Sequence, residues 1–260
     1  MPDNDRPKVP RPALRVATAS DAAIPFAELR CKSNFSFLTG ASHPDELVQR
    51  AADLSYRALA VTDVNSLAGV VRAHVAAKQL GLKLLIGAEL IPQQGPNTIL
   101  LAKDREAYAR LSQLLTLGRR RAPKGECHLH FDDIAQHAEG LLSVMPLEFG
   151  TGCAAQTDLQ RHREVFGDRC YALLSLPHGP NDRAWIDRGV KLAEQANVPL
   201  VASNDVYYHA ADRRYLHDVV TAIRHRCAVA ELGSRRFPNG ERYLKSPAQL
   251  QALFADVPEA

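Results

Sequence analysis

The sequence predicts an α/β fold: a closed or nearly closed barrel of about seven mainly parallel strands with helices outside. Three observations lead there. From Phe26 onward, short apolar strands alternate with helical patterns, the signature of a parallel sheet covered by helices. The links between these segments are short. With 260 residues, 46% of them hydrophobic, the chain is long enough to bury one large core. Seven strands suit a ring better than a doubly wound sheet, although the alternation alone is compatible with both.

Residues 1–25 are rich in Pro, Arg and Ala without periodicity and read as a flexible leader. Strands are expected near 26–31, 58–62, 84–90, 97–102, 140–145, 170–176 and 199–203. The first helix follows Ser42-His43-Pro44-Asp45, with Pro suited to the first turn and Ser42 able to cap. The second places Leu67, Val70, Val71, His74, Val75 and Lys78 on one face and ends before Gly81. Further helices fit 104–117, 155–166, 181–196 and 212–226, and 119–130 reads as a loop. In the tail, Pro238-Asn239-Gly240 marks a turn and Ser246-Pro247 starts a short helix. The chain then stops at Pro258-Glu259-Ala260 with no capping signal, as an excised piece would. The expected organisation is therefore a leader over 1–25, a main domain over 26–230 and an extension over 231–260.

Composition narrows the class. Cys31, Cys127, Cys153, Cys170 and Cys227 include no CxxC pair, which suits reduced thiols in a bacterial cytoplasm. The net charge of +3 permits contact with nucleic acid without predicting it. No apolar run approaches the roughly 18 residues of a membrane span, and no signal peptide is visible. The GxSxG elbow, the GxxxxGK[ST] phosphate loop and the GxGxxG fingerprint are missing.

In β/α barrels the functional side chains stand at the C-terminal strand ends. That rule selects Arg30 and Lys32, Asp63, Glu89, His178, and Asn204 with Asp205. Strand alternation sends Arg30 and Lys32 to one side and Cys31 to the other. Each has a bland reading: Asp63 as the cap of the following helix, Glu89 as a surface charge, His178 as a turn residue. Arg119, Arg120, Arg121 and Lys124 read first as a solvated charge run after a helix and, against that, as candidate phosphate contacts. His128 and His130, beside Glu126, Asp132 and Asp133, superficially offer a metal pair, but in a loop that fixes no geometry.

The segments FAELRCKSNFSFLTGASHPDELVQRA, LAGVVRAHVAAKQLGLKLLIGAEL and SNDVYYH resemble the PHP (polymerase and histidinol phosphatase) domain that opens bacterial C-family DNA polymerases. They are most similar to the error-prone, damage-inducible branch, and the likeness runs from about Phe26 to Phe254. The resemblance implies a PHP-type distorted (β/α)7 barrel. It also implies which metal ligands this chain has lost. Arg30 and Lys32 stand where the two histidines of a His-x-His belong, Thr39 where an acidic residue often sits, Val64 and Asn97 where further histidines sit, and Tyr207 in place of another. Asp63, Glu89, His178 and Asp205 match the pattern. Guanidinium and ammonium groups have no lone pair to offer a metal.

The resemblance thus implies the N-terminal domain of an error-prone DNA-directed DNA polymerase, a nucleotidyltransferase of DNA replication and repair acting in translesion synthesis after DNA damage. The domain is expected to be non-catalytic, to need no cofactor or metal, and to be inactive without the polymerase core. Expected partners are that core, accessory translesion factors, a proofreading subunit or the sliding clamp, with DNA bound weakly at most and no membrane. The competing reading is a metal-dependent phosphoesterase or 3′-5′ exonuclease with a site rebuilt from Glu89, His178, Asp205 and His209. Charge balance adds one geometric expectation. Asp63, Glu89 and Asp205 approach one another, and Arg30 or Lys32 bonds at least one of them as a fixed counter-ion.

Overall fold

The computed structural model describes residues 25–148 and 155–260; Cys153 and the expected leader, Pro25 apart, lie outside the described residues. Seven strands, β1 (Ala27–Glu28), β2 (Ala58–Val64), β3 (Lys83–Leu90), β4 (Thr98–Ala102), β5 (Leu141–Pro146), β6 (Cys170–Leu174) and β7 (Leu200–Ala202), form one sheet in sequence order. All neighbours run parallel except β4, which is antiparallel to both β3 and β5. Past the ends of β1 and β7 the sheet meets itself. Lys32 N–H donates to Val206 O at 2.9 Å and Val206 N–H to Arg30 O at 2.8 Å. The result is the expected barrel, with a short seam.

Period-2 alternation fills it. Along β2, Leu59 and Val61 face the helices, whereas Ala60 joins Ile99, Leu101, Val144 and Leu173 in the central cluster. Outside lie α1 (Pro44–Asp53), α2 (Val70–Leu80), α3 (Arg105–Arg121), α4 (Phe131–Gln136), α5 (Ala155–Phe166), α6 (Asp182–Ala196), α7 (Arg214–His225) and α8 (Pro247–Leu253).

Three local expectations need correction, and one helix was not expected. His43, not Ser42, occupies the N-cap of α1, where Glu46 accepts the His43 N–H; Ser42 is drawn away to His209. Helix α2 begins at Val70 and buries Val70, Ala73, Ala76 and Ala77, leaving Val71 and Val75 exposed. Its small residues win the inner face because α1 packs against it. Residues 119–121 are the last turn of α3 and not a loop. Helix α4, which follows that stretch, carried no long apolar period and is too short to show one.

The segment after α7 packs against the barrel. Arg236 pairs with Asp218 at 2.7 Å, Asn239 donates to His178 O at 3.3 Å, and Tyr207 N–H donates to Arg242 O at 3.0 Å. Leu244 and Lys245 are buried, and Tyr56 Oη donates to Lys245 O at 2.7 Å. Residues 236–245 form a strap beside the seam.

Candidate functional site: a cation-filled barrel mouth

The side chains of Arg30 and Lys32 rise from the stretch held between β2 and Val206 and turn into the barrel mouth. Thr62 fixes that stretch from below, its N–H donating to Cys31 O while its Oγ1 accepts Cys31 N–H at 2.9 Å. Arg30 Nη2 donates to Glu89 Oε1 at 2.6 Å, and its Nε lies 3.1 Å from Glu89 Oε2 and 3.0 Å from Asp205 Oδ1. Lys32 Nζ contacts Glu89 Oε2 at 2.6 Å and Asp205 Oδ1 at 3.0 Å. Arg242 of the strap donates to Asp205 Oδ2. Every oxygen of the two carboxylates is therefore occupied by a cationic donor. Lys32 is only 2% exposed, and its ammonium also stands 4.5 Å from the centroid of the Tyr207 ring.

The electrostatics follow from that geometry. Burial opposes ionisation of Asp205, but Arg30, Lys32 and Arg242 outweigh it and hold its carboxyl well below the ordinary range. Glu89 is likewise lowered, with burial overcome by Lys32 and Arg30. Burial also works against the charges of Arg30 and Lys32, yet the facing carboxylates raise both pKa values. The cluster is charged throughout, with the three cations Arg30, Lys32 and Arg242 facing the two carboxylates of Glu89 and Asp205.

Asp63 does not join it. Its Oδ1 accepts Ser33 N–H at 2.8 Å and Ser36 Oγ–H at 2.7 Å, and its Oδ2 accepts Ser33 Oγ–H at 2.8 Å. Burial pushes its pKa up, against these hydrogen bonds. A Cβ at Gly69 would stand 2.6 Å from Asp63 Oδ2, so glycine keeps room for this carboxylate. Asp63 anchors the 33–36 turn; it does not cap α2. Val64 pairs with Glu89 in the sheet register and donates its N–H to Ser36 Oγ. His178 stands apart in a half-exposed turn at φ 54°, its Nε2 3.8 Å from Glu241. His209 is bonded to Ser42, Thr39 accepts from Arg224, and Asn97 lies just before β4. His128 contacts Glu126, while Asp133 takes Arg121 and the His130 N–H. Arg119 donates to three backbone carbonyls, those of Asn65, Gly125 and Glu126, which leaves Arg120 and Lys124 of the basic run without partners among the described residues.

Sequence reasoning missed two members. Arg242 is one, because it lies in the strap, beyond the expected main domain over 26–230. Glu28 is the other: fully buried in β1, it accepts the Arg30 N–H at 3.0 Å, the Asn204 N–H at 3.1 Å and the Ser203 hydroxyl. It bridges β1 to the end of β7, where main-chain pairing is sparse. Its place two residues before Arg30, on the same side of the expected strand, was the available signal.

The donor set does not fit a metal cluster. Of the carboxylates that match the ligand pattern, Glu89 and Asp205 are saturated by cations and Asp63 is held by Ser33 and Ser36, while His178 is turned elsewhere. Among the described residues, no group of three or more His, Cys, Asp or Glu side chains is placed to hold an ion.

A barrel of this topology with these strand-end residues defines a class, and the comparison of families agrees: the PHP domain matches residues 28–175, and the chain belongs to that family. The particular relatives are polymerases. The chain is 43% identical over 251 residues to the error-prone DNA polymerase of Rhodopirellula baltica, and 45% identical over 230 residues to that of Pseudomonas aeruginosa. These matches cover 92% and 88% of this chain but only 22% of each relative. Among solved structures, a candidate metal-dependent phosphoesterase of Bifidobacterium adolescentis superposes with a TM-score of 0.53, over 70% of this chain and 87% of that one, at 14% identity. That likeness is one of fold. No helix among the described residues is long and apolar enough to cross a membrane.

Proposed function

We propose that this chain is the PHP domain of a longer cytoplasmic error-prone DNA polymerase acting in damage-induced translesion synthesis, and that the domain itself is a metal-free, non-catalytic scaffold. Identity to polymerases that are several times longer supports the first part. The second part rests on one observation: Arg30, Lys32 and Arg242 occupy all four oxygens of Glu89 and Asp205. A dication entering that space would have to displace buried cations from their partners and meet their repulsion. The surviving ligands Glu89 and Asp205 thus act as counter-ions, and Asp63 as a turn anchor. We place the domain from residue 26 through the strap and α8, since the strap supplies a member of the cluster. Partners follow from the parent enzyme: its polymerase core, with accessory translesion factors, a proofreading subunit or the sliding clamp as further candidates. Any DNA contact through the end of α3 falls to Arg120 and Lys124.

The test is hydrolysis. The purified chain, given manganese or zinc, is offered a 3′-labelled mismatched primer and a phosphomonoester. No release of nucleotide or phosphate above the metal-only control is expected. Release that disappears in Asp205→Ala would establish a rebuilt phosphoesterase or exonuclease site instead.

A further inference from the structure

Helix α7 is turned the wrong way for a helix that packs on its own domain. Its buried residues include His217, Asp218 and Thr221, while Tyr215, Leu216, Val219 and Ile223 face outward. Tyr215 is 75% exposed and Ile223 57%. These four recur at i, i+1, i+4 and i+8, one stripe along a single face. The inner face is polar for a reason: His217 stacks on Phe237 at 4.8 Å and Asp218 pairs with Arg236, so it holds the strap. The outer face has no such use within the described residues. Beside its C-terminal end stands the 35–39 turn, tied there by Arg224 Nη1 donating to Thr39 Oγ1 at 3.1 Å, with Phe37 82% exposed. Arg224, Arg226 and Arg235 flank the same end and have no carboxylate partner among the described residues.

We propose that the outer face of α7, with Phe37, seats an acidic, apolar-faced part of the same polymerase polypeptide. This rests on the reading of the chain as one domain of a longer polymerase. Two observations choose the occupant. The matched relatives carry several times more chain than this one, of which this domain accounts for about a fifth. Arginines without a carboxylate partner favour negative charge on the surface that meets them. The stripe itself is mainly aliphatic, which favours a protein surface over nucleic acid, whose bases stack on aromatic rings.

The test replaces the counterpart domain of the Pseudomonas aeruginosa polymerase with this one and follows amide hydrogen exchange across 214–225. Docking is expected to slow exchange there at least about tenfold relative to the 260-residue chain alone. Val219→Glu with Ile223→Glu is expected to restore the faster rate in the hybrid while leaving the unfolding midpoint of the isolated chain unchanged. Arg224→Glu with Arg226→Glu is expected to weaken the protection. A hybrid that extends primers yet shows no slowing overturns the proposal. Protection of α7 in the isolated chain, through self-association or on adding oligo-dT, overturns it too, by assigning the face to a second copy or to nucleic acid. A hybrid with the unaltered domain that fails to extend primers contradicts the polymerase reading itself.

Discussion

At the mouth, the decisive side chains are Lys32 and Glu28. Removing one partner of a buried ion pair strands the other in a medium that solvates it poorly. Lys32→Met leaves Glu89 and Asp205 with one bond fewer each, and is expected to cost about 3–5 kcal/mol in urea denaturation. A loss below about 1 kcal/mol would show the pair to be effectively solvated. Glu28 carries a pH signature of opposite sign to its neighbours. Burial pushes its carboxyl up to about 7, against the hydrogen bonds of Ser203, Arg30 and Asn204. In the unfolded chain a glutamate titrates near ~4.3. Below that value both states hold the proton and the contribution is complete. As pH rises through the window the unfolded chain ionises first, so stability falls, levelling off above the folded pKa, for a loss on the order of 3 kcal/mol. Glu89 and Asp205, lowered in the folded state, lose their contribution only as pH falls below the ordinary carboxylate range. Glu28→Gln cannot ionise. Whatever offset its amide brings, urea midpoints measured from about pH 4.5 to 8 are expected to lose the decline that this carboxyl causes. An unchanged decline would place the titration elsewhere. The sequence exposed Arg30, Lys32, Glu89 and Asp205 through the strand-end rule, and strand alternation placed the two cations on one side. It did not expose Glu28, because the rule looks at strand ends and Glu28 works along the seam.

Among the elements, the strap separates what local pattern reveals from what it does not. Its turn at Pro238-Asn239-Gly240 was readable, but its destination depends on Arg236, Arg242 and Lys245 finding partners far away in sequence. Local pattern holds no trace of such contacts. Ending the chain at residue 230 removes Arg242 from Asp205, uncovers the site of buried Leu244 and strips His217 of its stacking partner. That shortened chain is expected to unfold at lower urea concentration or to collect as insoluble protein. A midpoint equal to that of the full chain would make the strap an accessory. Helix α2 teaches a related lesson: Val71 and Val75 outrank its alanines in hydrophobicity, yet close approach of α1 favours the small side chains. The basic run at the end of α3 was legible as charge, whereas its conversion into carbonyl bonds by Arg119 was not. Neutralising Arg120 and Lys124 is accordingly expected to lower the slope of log DNA affinity against log salt by about 0.7–0.9 per lost phosphate contact. No change on neutralising them would place the contact elsewhere.

For the whole molecule, the strand–helix alternation carried most of the fold, since each of the seven strands falls on a segment that apolar patterning had marked. Patterning did not reveal that β4 runs antiparallel, because period 2 is the same in either direction. The ring closes through one bridge at Val206, the Glu28 carboxylate and the ions of the mouth. On the proposed reading fixed cations hold this end of the barrel in place of metal, and thermal unfolding with and without divalent metal distinguishes the two. The unfolding temperature of the intact chain is expected to be the same in excess manganese, in zinc and in chelator, because a ligand that does not bind the native state cannot stabilise it. An unfolding temperature that rises with metal and falls with chelator, with bound metal stoichiometric to protein, would contradict the account.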